Sequence, residues 1–197
     1  IFLVRHGQTE WNLQNRLQGH KNSPLTIKGR EQALKAKKAL REYEIHRAYV
    51  SPLQRARETS NIILGDRQIK TIQKNNLKEM NLGPWEGKTR EEIKKSHPDK
   101  YYQFWNNPDK FYLPQAETYQ QLQNRVVMEL NDIFLKGINK NTLVVSHWIA
   151  IKVSMAHYSS IPINKLSSLT DMENGKFATL VNENGNVTIN GSDSHCF

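Results

Sequence analysis

Apolar residues along this chain fall into short unbroken runs, separated by longer stretches with helical spacing. Ile1-Phe2-Leu3-Val4 is the first run. Four consecutive apolar residues without helical spacing read as a strand buried on both faces. Ile45 to Val50, Ile69 to Ile72 and Asn141 to Ser146 are predicted as further strands, the last built on Leu143-Val144-Val145. Helical patterns lie between them. Gly29 to about Glu42 follows Thr26 as N-cap and turns Ala33, Ala36, Ala39 and Leu40 inward. Pro52 suits the first turn of another helix. Thr89 to Ser96, Glu117 to about Leu135 and Ile149 to Tyr158 are predicted as helices, with Leu122, Val126, Leu130 and Ile133 at core spacing in the second. Lys176 to Val181 and Val187 to Asn190 read as a β pair across Glu183-Asn184-Gly185. The alternation predicts an α/β fold, a three-layer α/β/α sandwich around a mostly parallel central sheet.

Lys88 to about Glu117 breaks the alternation: it lacks strand signals and carries Tyr101, Tyr102, Phe104, Trp105, Phe111 and Tyr112. It reads as an insertion folded over the sheet. Residues 1–197 are thus expected to form a single domain with a helical cap insertion at approximately 81–136. Most of its aromatics are expected to anchor the insertion, with one or two lining a pocket.

Length and composition narrow the class. A chain of 197 residues can bury a substantial core. No run approaches the ~18 apolar residues of a membrane span, and no charged-then-apolar leader is present. The single cysteine, Cys196, excludes an internal disulfide and a zinc set. A cytoplasmic enzyme with no membrane partner is the expectation. The formal net charge of +9 raises the question of nucleic acid. Yet Lys35, Lys37, Lys38 and Arg41 are interspersed with Glu31 and Glu42, as on a solvated helix face. Zinc-finger spacing, RNP-type aromatics and a basic tail are all missing. A general attraction for anions remains, and no nucleic-acid partner is expected.

The chemistry sits where the apolar runs stop. The first strand ends at Arg5-His6-Gly7, the second at Ser51-Pro52-Leu53-Gln54-Arg55, and a later one at Ser146-His147-Trp148. Ligands of open α/β sheets bind just beyond the carboxyl ends of the strands. Three such ends can converge in one crevice. Arg5 and Arg55 supply permanent planar cations, His6 a group able to attack or shuttle protons, and Gly7 room for close approach. A helix opening near Arg55 adds a dipole that favours anions. Together they suit a phosphoryl group.

The octet Arg5-His6-Gly7-Gln8-Thr9-Glu10-Trp11-Asn12 resembles the signature R-H-G-E-T-x-x-N of the histidine phosphatase (phosphoglycerate mutase-like) superfamily, with Gln8 for the commoner Glu. Arg55 matches its S-x-x-x-R-A-x-x-T arginine, Glu79 its L-x-E acid and His147 its V-S-H histidine. The resemblance spans nearly the whole chain and implies a phosphatase acting on small phosphorylated metabolites. It implies attack by neutral His6 on phosphorus, giving a phosphohistidine intermediate. Arg5, Arg55 and His147 would stabilise the transferring group, and Glu79 would act as general acid and base. Asn12, Gln18 and Gly19 resemble further phosphate-side contacts, and the same site would take a phosphate or sulfate ion. Two histidines and a carboxylate could also ligate a metal. Arg5 and Arg55 beside them would repel a cation, and no H-x-H or H-E-x-x-H spacing occurs. No metal and no cofactor are expected. His20, His46, His97, His157 and His195 fall in no motif and read as structural or solvated.

Trp148 departs from the pattern, since the family usually has Gly after the second histidine. It would narrow the pocket, stack over a substrate, shift the backbone or pack beneath the cap. Leu82-Gly83-Pro84-Trp85-Glu86-Gly87-Lys88-Thr89, Phe104-Trp105 and the tail Gly191-Ser192-Asp193-Ser194-His195 look most like the PhoE-type broad-specificity phosphatases. Phosphoglycerate mutases share the catalytic motifs but typically carry a longer basic insertion. α-Ribazole phosphatases share the W-E-G stretch, while Gln115-Ala116-Glu117-Thr118 matches their G-E-S motif only in part. A different class is a phospho-ligand-binding protein with weak catalysis. The complete set His6, Arg5, Arg55, Glu79 and His147 argues against it, because binding alone needs neither nucleophile nor acid. Oligomeric state does not follow from any of these patterns.

Overall fold

A computed structural model describes residues 1–183 and 185–191 of the chain. Asn184 of the predicted turn, and Ser192 to Phe197 with His195 and Cys196, lie outside the described residues. Six strands form one sheet: β1 (Phe2–Arg5), β2 (Arg47–Val50), β3 (Thr71–Gln73), β4 (Thr142–Ser146), β5 (Phe177–Glu183) and β6 (Asn186–Gly191), in the order β3-β2-β4-β1-β5-β6. β1 to β4 run parallel, with Leu3 opposite Val144 and Tyr49 opposite Val144 on the other side. β5 pairs antiparallel with β1, and β6 antiparallel with β5, so the sheet is mostly parallel.

The alternation of side chains along each strand builds two cores. Phe2, Val4, Ala48, Val50, Leu143 and Val145 face one side, against Ala33, Ala36 and Leu40 and against Ala56, Ile63 and Leu64. These belong to or follow α2 (Ile27–Ala39) and α3 (Gln54–Leu64). The small alanines of α2 let it lie close to the sheet, and Thr26 caps it through Gly29 N–H. Leu3, Tyr49, Val144 and Leu180 face the other side. There they meet α6 (Tyr119–Lys136) and α7 (Trp148–Tyr158), which pack on each other. Helix, sheet and helix form the three layers. Both faces of β1 and β4 are covered, which is why their sequences are unbroken apolar runs.

Helix starts sit close to their sequence signals. Thr89 caps α4 (Arg90–Ser96) and Thr118 caps α6, each in a reciprocal capping box. α3 begins at Gln54 with Leu53 as cap, so Pro52 precedes the helix. α1 (Glu10–Leu13) is a single turn capped by Thr9 and Asn12. α5 (Pro98–Asn106) completes the aromatic section, where Trp85, Phe104 and Phe111 are buried with ring centroids 5.1–5.7 Å apart. These rings anchor residues 82–118 to the α6 and α7 side of the body, whereas Tyr102 and Tyr112 are exposed. No helix among the described residues is long and apolar enough to cross a membrane.

Candidate active site

The carboxyl ends of β1, β2 and β4 open on one cleft. Arg5, His6, Asn12, Gln18, Gly19, Arg55, Glu79 and Trp148 line it, and His147 lies just beneath, its ring 5.1 Å from that of His6.

His6 follows β1 and is 3% exposed. Its Nδ1 lies 2.8 Å from the Gly7 carbonyl, an acceptor only, so Nδ1 carries the proton and Nε2 the lone pair. Burial holds its pKa well below the ordinary histidine value, reinforced by the positive charges of Arg55 and Arg5. The ring is neutral at pH 7. Gly7 packs against the start of α2, where a Cβ would meet the Gly29 carbonyl oxygen at 2.3 Å. Its N–H donates to Thr59 Oγ1, whose hydroxyl donates to the Arg55 carbonyl, tying β1 to α3.

Arg55 is in the first turn of α3 and is 1% exposed. Its Nη1 donates to the Lys21 carbonyl and its Nη2 to the Gly19 carbonyl. Its Nε–H is shared between His6 Nε2 at 3.3 Å and His147 Nδ1 at 3.2 Å. Gly19 adopts φ +51°, and a side chain there would run into Glu86. Glu86 in turn accepts the N–H groups of His20 and Leu82. The W-E-G stretch thus fixes the loop that presents a carbonyl to Arg55. Arg5 donates Nη1 to the Met172 carbonyl, and its buried Nε has no partner among the described residues. Burial lowers both guanidiniums to about 10, partly offset by Glu79, and both stay charged at neutral pH.

Glu79 is 7% exposed. Its Oε1 accepts from Met80 N and Ala150 N, and its Oε2 from Ile149 N at 3.2 Å. Glu79 therefore caps the N-terminus of α7, immediately after His147. Arg125 holds the Glu79 backbone through its carbonyl, and pairs with Glu117 at 2.6 Å. His147, the N-cap residue of α7, is fully buried, and its pKa is held well below the ordinary value by burial and by Arg55.

The remaining predicted residues have local partners as well. Asn12 closes the Thr9 capping box, and Gln18 donates Nε2 to Thr9 Oγ1 while its buried Oε1 has no partner among the described residues. Trp148 stands between Arg5, 5.8 Å above its ring, and Trp105, whose ring lies 5.4 Å away at 32°. It forms a wall of the cleft and packs against the aromatic section at once.

Sequence reasoning missed Arg16 and Arg90, which also line the cleft. Arg90 stacks 4.7 Å over Trp105, and its guanidinium makes no hydrogen bond or ion pair among the described residues. An exposed arginine opening a helix carries no local signal of this role. His20, read from the sequence as structural or solvated, has its Nε2 3.0 Å from the Glu79 carbonyl. His46, His97 and His157 lie outside the cleft lining. Among the described residues, no cluster of His, Cys, Asp and Glu could hold a metal ion. The donor set around His6 is rich in guanidinium, which repels cations.

Comparison with known proteins shows the family. The family model of the histidine phosphatase superfamily (branch 1) matches residues 1–192. The uncharacterized phosphatase PhoE of Bacillus subtilis strain 168 is 31% identical over 159 residues, 81% of this chain and 77% of that protein. A probable phosphoglycerate mutase, GpmB, of Escherichia coli O1:K1 is 31% identical over 162 residues, 82% of this chain and 75% of its own length. The structure of YhfR from Bacillus stearothermophilus superposes with a TM-score of 0.95 at 32% identity, covering 97% of this chain and 95% of the other. With family model, relatives and fold in agreement, the chain belongs to the histidine phosphatase superfamily and is a phosphatase or phosphoglycerate mutase-like enzyme.

Proposed function

We propose that this protein is a metal-independent phosphatase that hydrolyses small phosphomonoesters through a phosphohistidine on His6. The observation that carries the reading is the His6 tautomer. A carbonyl holds its Nδ1–H, so the Nε2 lone pair faces Arg55 at the floor of a cationic cleft. In the first step Nε2 attacks phosphorus, the bond from phosphorus to the ester oxygen breaks, and the leaving oxygen takes a proton from Glu79. Oε1 of Glu79 accepts two N–H groups and Oε2 one, so Oε2 is the oxygen with a lone pair left to hold that proton. In the second step water attacks phosphorus, Glu79 takes its proton, and the N–P bond breaks to release inorganic phosphate. Arg5, whose Nε–H has no partner among the described residues, and Arg55 balance the charge on the phosphoryl oxygens.

Arg90, stacked on Trp105 but without a hydrogen bond or ion pair among the described residues, favours leaving groups that carry a second anion, and a mutase would transfer the phosphoryl group within such a molecule. The test is phosphate release from p-nitrophenyl phosphate and a panel including 3-phosphoglycerate, with EDTA present, for wild type and His6→Ala. Turnover of many esters that survives EDTA and is lost in the variant is the expected result. No turnover of any ester, or loss of activity with EDTA, would overturn the proposal. Conversion of 3-phosphoglycerate without phosphate release would assign the mutase reading instead.

A further inference from the structure

Ser51 follows β2 and is completely buried. Its Oγ stands 2.7 Å from His147 Nε2 and accepts the Leu53 N–H at 3.4 Å. Across the imidazole, Nδ1 accepts the Arg55 Nε–H at 3.2 Å. These contacts fix the proton. A neutral imidazole has one donor and one acceptor nitrogen. Nδ1 is the acceptor, so Nε2 carries the hydrogen and donates it to Ser51.

That tautomer suits the free site and not the occupied one. His147 Nδ1 and His6 Nε2 both present lone pairs to the same Arg55 hydrogen. A phosphoryl group that took over Arg55 and met His147 would find a lone pair opposite its own oxygen. The two histidines differ in what stands behind them. His6 Nδ1 faces a carbonyl, which can only accept and so locks one tautomer. His147 Nε2 faces a hydroxyl, which can accept or donate.

We propose that Ser51 is a positioning residue whose hydroxyl reverses its hydrogen bond to His147 when a phosphoryl group binds. In the free protein Ser51 accepts from Nε2–H. In the complex it donates to Nε2, and the hydrogen on Nδ1 points to a phosphoryl oxygen. The ring keeps one proton throughout: one leaves Nε2 and one joins Nδ1, exchanged through water before the phosphoryl group seats. Burial and the nearby cations Arg55 and Arg125 oppose the alternative of a doubly protonated ring. The inference rests on the phosphatase reading but is tested by a separate observable.

The experiment is nitrogen NMR of the whole chain labelled in histidine, with inorganic phosphate as the probe. Without phosphate, His147 is expected to be protonated at Nε2, and at saturation at Nδ1. His6 is expected to keep its Nδ1 proton while its Nε2 signal moves. Ser51→Ala, which leaves the buried His147 Nε2–H without its acceptor and so lowers the melting temperature, should abolish the exchange and lower kcat/KM for p-nitrophenyl phosphate about tenfold. Ser51→Thr, which keeps the hydroxyl, should restore both; if it does not fold, the wild-type spectra alone decide. A His147 that stays protonated at Nε2 while His6 responds, or becomes protonated at both nitrogens, overturns the role of Ser51 and leaves the phosphatase reading standing. Phosphate that moves neither ring overturns both.

Discussion

Trp148 occupies the turn where a second histidine hands over to α7, and its ring does two jobs there. One side meets the Arg5 guanidinium at 5.8 Å, and the ring also stacks with Trp105 at 5.4 Å. An aromatic contact of this kind is worth about 0.5–1 kcal/mol at a partly exposed site. Trp148→Ala is therefore expected to raise KM for p-nitrophenyl phosphate about two- to fivefold while leaving kcat within twofold, read from steady-state kinetics. A fall in kcat alone would mean that the indole acts on the reaction rather than on binding. Arg55 is less replaceable. Its planar fork reaches Gly19, Lys21, His6 and His147 together, from complete burial. An ammonium offers its donors from a single point and cannot span those partners. Arg55→Lys should cost at least about 100-fold in kcat/KM, equivalent to some 2.7 kcal/mol. At this scale His6, Arg5, Arg55 and His147 are legible because each ends or follows a buried strand in a fixed motif. Arg90 meets Trp105 and Trp148 and no local pattern announces it, while Ser51 opens the S-x-x-x-R motif but meets His147 only across a long stretch of chain.

At the scale of elements, one half-buried ion pair links three segments to the cleft. Arg125 of α6 donates to the carbonyls of Asn76, Lys78 and Glu79, while Glu117, just before α6, accepts from Arg125 and from Asn81 N–H. Burial by itself would raise the Glu117 carboxyl, but Arg125 and the Asn81 N–H outweigh it and hold the pKa below the ordinary 4.5. A carboxyl lowered on folding stabilises the native state above its unfolded pKa, and that stabilisation is lost as pH falls through the folded value. Glu117→Gln should thus be less stable than wild type at pH 7, with the gap closing below pH 4.5, measured by chemical denaturation at both ends. A gap independent of pH would mean that the pair contributes packing rather than charge. Thr118, which caps α6 beside it, should cost about 1 kcal/mol on change to Ala. The capping residues are legible because Thr and its partner three positions on form a short-range signal. The three N–H bonds to Glu79 are not, since two of them come from Ile149 and Ala150 on α7. Helix boundaries shift by a few residues for the same reason. α2 starts at Ile27, just after its cap, although Ile27 is itself exposed and breaks the apolar pattern.

For the whole molecule, the order of strands is the least legible feature, because β1 lies between β4 and β5, both distant in sequence. Local patterns identify strands and the crossovers that make them parallel, but neighbours are chosen by which faces the helices cover. That choice brings two histidines into one buried cationic site, and the molecule's stability must depend on it. Both rings are held well below the ordinary histidine value of 6.5, by burial first and Arg55 next. An unfolded chain takes up a proton on each as pH falls through 6.5, while the folded chain does not. The unfolded state then binds more protons, so stability rises with pH throughout the window between the folded values and 6.5. Two such groups give a slope of at most about 2.7 kcal/mol per pH unit. Urea denaturation from pH 7.5 to pH 5 should therefore show a steady loss of stability on acidification. His6→Asn should flatten that slope by about half, because one titrating group is gone. Saturating inorganic phosphate should add stability at every pH by binding the native state alone. A wild-type slope no steeper than that of His6→Asn would mean that His6 is charged in the folded protein, and a charged ring has no lone pair with which to attack phosphorus.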